Sequence, residues 1–184
     1  MRSKQTRTRV EIPTGTQAHF SVPATPTATR SPTYSGAPTG SNYDRIKRLL
    51  ESNRVDEALQ LARTRANSDA AMRNAYAVCL MRSGQPEEAL ALYRGLLLNG
   101  IFLRPEVPTV YKSNFATALA LSGQLDGALS VLQEIAPEKH PMAERLLAAI
   151  NERRQRQSFW QKLRCLWGSA QPRIELDFPP GELR

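Results

Sequence analysis

Gly84-Gln85-Pro86-Glu87-Glu88-Ala89-Leu90 is a complete helix-to-helix turn written in seven residues. The glycine suits the left-handed stop at a helix end. The proline sits in the first turn of the next helix, where its missing N–H costs nothing. Two glutamates then place negative charge at the positive end of the helix dipole. Ala-Leu opens an apolar stripe. The same arrangement stands upstream as Asn53-Arg54-Val55-Asp56-Glu57-Ala58-Leu59 and downstream as Gly123-Gln124-Leu125-Asp126-Gly127-Ala128-Leu129. Ala58 and Ala89 lie 31 residues apart, and Ala89 and Ala128 lie 39 apart. Each turn is preceded by another helical segment. A helix pair that recurs at this spacing cannot bury its apolar face alone, so the copies must stack. The expected fold is all-α, a helical repeat array that presents a surface rather than a catalytic centre.

Apolar periodicity outlines the helices on either side of these turns. Ile46, Leu49 and Leu50 mark the first, with Asn42 or Asp44 as its cap and Ser52-Asn53 as its break. The second carries Leu59, Leu61 and Ala62 to about Arg65. Ser68-Asp69 caps a third over Ala70 to Arg82, with Met72, Ala75, Tyr76, Cys79 and Leu80 as its stripe. The fourth passes through Leu90, Tyr93, Leu96 and Leu97 to Asn99-Gly100. A fifth covers Val110 to Leu121 and a sixth Gln124 to Ile135, ended by Pro137. Pro141 opens a seventh, whose face of Met142, Leu146, Leu147 and Ile150 suits a cap on the exposed end of the stack. The connection Ile101-Phe102-Leu103-Arg104-Pro105-Glu106-Val107-Pro108 is apolar yet stopped by two prolines. It is expected to plug a gap between repeats, with a binding surface as the alternative.

Small residues fall where paired helices approach closely. The second pair offers Ala77, Gly84, Ala89 and Tyr93, the third Ala116, Gly123, Ala128 and Leu132, and the first Ile46, Asn53, Ala58 and Ala62. On these residues the stretch 43–137 resembles the tetratricopeptide repeat family. Its spacing departs from that family's regular repeat of about 34 residues. The resemblance implies an α-solenoid of about three helix pairs, with a groove lined by the first helix of each. Helical phase places Tyr43, Lys47 and Leu50, then Asn74, Val78 and Met81, then Ser113, Asn114, Thr117 and Leu121 on that groove. Some family members hold a partner's terminal carboxylate with a set of Lys, Arg and Asn. Only Lys47 and Asn114 match that set, so the expected occupant is a helix or extended peptide with apolar anchors.

The formal net charge is +8. It resides at the two ends: residues 1–42 carry five basic residues against one acidic, and 138–184 nine against six, while 43–137 carry eleven against ten. A neutral core with basic ends argues against a nucleic-acid-binding fold, although the ends could meet an anionic membrane surface or nucleic acid. Residues 1–42 hold nine Thr, five Pro and five Ser with few large apolar side chains, which predicts a disordered arm. Cys79 and Cys165 are too few for a disulfide framework and suit a reducing, cytoplasmic setting. The Arg-, Ser- and Thr-rich start keeps organelle import open. His19 and His140 lie apart from any cysteine or carboxylate at ligand spacing, and no Gly-rich phosphate loop is present, so neither enzymatic activity, metal nor cofactor is expected.

The C-terminal third holds the remaining signals. Within 138–168, Phe159, Trp160, Leu163, Leu166 and Trp167 share one stripe of a basic helix. That pattern suits packing on the repeats, docking to a partner or lying on a membrane. In the tail, 169–184, Ile174, Leu176 and Phe178 alternate with Glu175 and Asp177 before Pro179-Pro180-Gly181. That is strand periodicity with no sheet in sight. An extended docking peptide is expected, lying across its own helices or on another protein's sheet edge. The chain therefore reads as a non-enzymatic adaptor or scaffold for protein partners within a larger complex. The alternative is a peripheral membrane or nucleic-acid-associated protein tethered by its basic ends.

Overall fold

A computed structural model of the chain describes residues 41–156 and 174–183. Residues 1–40 of the arm expected over 1–42, with His19, lie outside the described residues, as do 157–173 with Cys165 and the aromatic residues, whereas the arm's last two residues, Ser41 and Asn42, belong to the first helix. The described part is all-α. Its helices are α1 (Ser41–Glu51), α2 (Val55–Arg65), α3 (Ala70–Arg82), α4 (Pro86–Leu97), α5 (Thr109–Leu121), α6 (Leu125–Ile135) and α7 (Pro141–Arg156). Each of α1 to α6 packs on the next in sequence, α3 also touches α1 and α5, and α7 covers α5 and α6.

The three predicted turns share one geometry. Asn53, Gly84 and Gly123 have φ of 55°, 81° and 77°, all left-handed. In each turn the following N–H reaches back to a carbonyl five residues earlier: Arg54 to Leu49, Gln85 to Leu80 and Gln124 to Leu119, at 2.8 Å every time. This is the bonding pattern by which a left-handed residue satisfies the last carbonyls of a helix. The alanines at the close approaches, Ala58, Ala77, Ala89, Ala116 and Ala128, are fully buried. Asp69 caps α3 by accepting the Met72 N–H at 2.8 Å.

Three local expectations are corrected. The first helix starts at Ser41, so Asn42 and Asp44 are not caps but lie inside it, with Asp44 in the first turn. The fourth ends at Leu97 rather than at Asn99-Gly100, because Leu98–Asn99 (β1) pairs with Phe102–Leu103 (β2) as a short antiparallel hairpin. Ile101 and Phe102 do not plug a gap: they are 86% and 73% exposed. Strand alternation explains the outcome. Leu98 and Leu103 are cross-strand partners packed against the core, so Phe102, paired with Asn99, faces the other way. Val107 is the residue of that connection that is buried.

α3 and α5 are buried nearly all round, with Asn74 on one and Lys112, Ser113, Asn114 and Thr117 on the other among their buried polar residues. A helix that loses its solvent face is packed on several sides. Neighbouring helices supply some of those contacts, and residues 174–183 supply others.

Candidate peptide-docking site

Residues 174–183 form neither helix nor strand, yet Ile174, Phe178, Gly181 and Leu183 are buried and Leu176 is half-buried. An extended segment has no ladder of its own, so its backbone groups need outside partners. Side chains of the helices provide them. Asn114 on α5 accepts the Glu182 N–H at 2.9 Å through Oδ1 and donates to the Glu182 carbonyl at 2.9 Å through Nδ2. One carboxamide thus holds both polar groups of a single residue. Arg82, in the last turn of α3, donates from Nε to the Pro180 carbonyl at 3.2 Å and from Nη2 to the Gly181 carbonyl at 3.0 Å. Its Nη1 donates to the Leu50 carbonyl of α1 at 3.4 Å, which braces the guanidinium. Burial pushes the Arg82 pKa below its ordinary value, yet a guanidinium titrates so high that it keeps its charge.

Behind Asn114 stands a buried polar chain. Asn74 Oδ1 accepts from Asn114 Nδ2 at 3.0 Å and from the Tyr93 hydroxyl at 2.9 Å. Tyr93 lies 6.2 Å from the Phe115 ring in a tilted arrangement. Full burial raises its phenol pKa well above 10, so it stays a hydroxyl donor. The chain orients the Asn114 amide toward Glu182. Asn74 Nδ2 is buried with no hydrogen-bond partner among the described residues.

Side-chain contacts complete the site. The Arg145 guanidinium of α7 lies 4.5 Å over the Phe178 ring, a cation–π contact. His140 Nε2 is 3.8 Å from Glu182 Oε2. Gly181 has φ 78°, and a Cβ there would stand 2.7 Å from Met81 Cε and 3.0 and 3.2 Å from the Val78 methyls. The backbone therefore lies directly on Val78 and Met81.

Of the groove residues expected from sequence, Asn74, Val78, Met81 and Asn114 come together around 181–182. Thr117 is buried and donates its hydroxyl to the Ser113 carbonyl at 3.0 Å. Tyr43 is buried in the core, whereas Lys47 is exposed. In the C-terminal set, Ile174, Leu176 and Phe178 lie in the described segment. Phe159, Trp160, Leu163, Leu166 and Trp167 lie outside the described residues. Arg82, Arg145, His140 and Tyr93 take part in the site without being singled out for it from sequence. Arg82 had one usable signal, its position four residues after Val78 and hence on the same helix face.

Among the described residues, no group of three or more His, Cys, Asp or Glu is placed to hold a metal ion, and no helix is long and apolar enough to cross a membrane. No protein-family model matches the chain, and neither a curated protein nor a solved structure is significantly similar to it.

Proposed function

We propose that the chain is a non-enzymatic adaptor of tetratricopeptide-repeat type, which holds an extended segment of a partner protein between α3, α5 and α7 within a larger assembly. The repeat assignment is supported by the three turns of one geometry and the buried alanines beside them. The observation that carries the reading is the two-way bond between Asn114 and the Glu182 backbone. A side chain that takes both an N–H and a C=O recognises extended peptide backbone as such, while neighbouring pockets sort side chains.

The test is capture of a partner protein by the full chain and by a Met81→Arg variant that keeps its helical circular dichroism. The arginine fills the place of Gly181. The partner is expected to be retained by the unmodified chain from about 50 to about 200 mM salt, and to be lost with Met81→Arg. Capture that ignores Met81→Arg and collapses over that salt range would contradict the reading. It would point instead to phosphate contacts made by the basic ends, which release counterions and weaken steeply with salt.

A further inference from the structure

The docking site is already occupied by the chain's own residues 174–183, and the manner of occupation describes a ligand. From this geometry we infer that the segment is a resident pseudo-ligand. The partner segment that displaces it carries the same pattern: an aromatic residue, a glycine three positions on, then an acidic residue and a leucine. The inference rests on the adaptor reading and specifies its partner.

Each element of the pattern has a structural cause. The aromatic ring lies under Arg145. The glycine is required twice over. Its φ of 78° is strained for any residue with a side chain, and any Cβ would meet Val78 and Met81. Met81 Cε is the end of a flexible side chain and can move. Val78 is β-branched on a helix, with one strongly preferred rotamer, and cannot. The acidic residue faces His140, with the positive charge of Arg82 held on the two preceding carbonyls. Leu183 is buried. Backbone recognition by Asn114 and Arg82 is indifferent to sequence and serves any segment that fits these pockets.

The resident segment is also an imperfect occupant. Asn74 Nδ2, inside the same polar chain, has no hydrogen-bond partner among the described residues, and an unmet buried donor is a standing penalty. Tethering offsets this. Belonging to the same chain gives a segment an effective concentration of about a millimolar, so a resident that binds in trans with a Kd of about 100 µM weakens a rival about tenfold. The result is a site closed to weak or mismatched peptides and open to matched ones.

The experiment uses a fluorescent synthetic peptide with the sequence of residues 172–183, and two full-length chains, unmodified and Gly181→Val. Binding is read by anisotropy, and folding by circular dichroism and thermal melting. The natural peptide is expected to bind the Gly181→Val chain about tenfold more tightly than the unmodified one. The Gly181→Val peptide is expected to bind neither, and a Phe178→Ala peptide to bind more weakly than the natural one. If Gly181→Val impairs folding, a Phe178→Ser chain releases the segment instead. Equal binding of the natural peptide to both chains would overturn the inference, as would equal binding of the natural and Gly181→Val peptides. Either result, alongside partner capture that is lost with Met81→Arg, would leave the adaptor reading standing without its resident competitor. An unmodified chain that sediments as a dimer and a Gly181→Val chain that sediments as a monomer would also overturn it, in favour of exchange of the segment between two copies.

Discussion

Asn114 is the side chain on which the seating of residues 174–183 turns. Its carboxamide joins the buried Asn74–Tyr93 pair to the backbone of Glu182, so it must be a donor and an acceptor at once. Helical phase made its neighbourhood readable. Positions 74, 78 and 81 share one face of α3, and 114 and 117 share one face of α5. Arg82 and Arg145 were not readable in the same way. A charged residue in the last turn of a helix, or on a terminal one, usually belongs to solvent, and only the arrival of a distant segment gives it a carbonyl or a ring to contact. Cys79 shows what burial does on the same helix. Desolvation holds its thiol pKa up at about 12, so the thiol stays protonated as pH rises until that region is approached. In a Cys165→Ser chain at pH 8, Cys79 is expected to stay unmodified by a disulfide reagent while folded and to react fully in denaturant, because the thiolate is the attacking form. Rapid labelling of the folded chain would place Cys79 outside the core.

Between the helices, stability rests on close approach at alanine. Ala89 and Ala128 are fully buried on α4 and α6. Ala89→Leu and Ala128→Leu are each expected to cost about 1–3 kcal/mol by overpacking. The exposed neighbours Glu88 and Gln133 are expected to accept leucine within about 0.5 kcal/mol. Urea melts check this, and equal effects at all four sites would refute the helix phase. These elements were legible because their signals are local. A turn residue, first-turn acids and an alanine recur three times, and the turns they produce match in φ and in bonding. The hairpin at 98–103 was not legible. Strands of two residues are too short to show alternation. Strand pairing on either side of a Gly100-Ile101 turn is what brings Ile101 and Phe102 out of the core that Ile-Phe-Leu suggests.

At the scale of the molecule, the decisive contacts join residues far apart in sequence. Glu182 meets Asn114 across 68 positions, and Gly181 meets Arg82 across 99. The alternation of Ile174, Leu176 and Phe178 announces an extended segment with a buried side, but no local pattern says against what it is buried. That depends on helix packing, and it is why the sequence left open both the chain's own helices and another protein's sheet. The structure seats the segment on α3, α5 and α7, and Pro179-Pro180-Gly181 brings the chain flat onto Val78 and Met81. The proposed function and its competitor both stand on this seating. Amide hydrogen exchange on the full-length chain tests it most directly. The Glu182 amide is expected to be protected, because it donates to Asn114 Oδ1. In an Asn114→Ala chain that protection should fall while α4 and α6 stay protected. A Glu182 amide that exchanges in the unmodified chain at the rate of an open peptide would contradict the account.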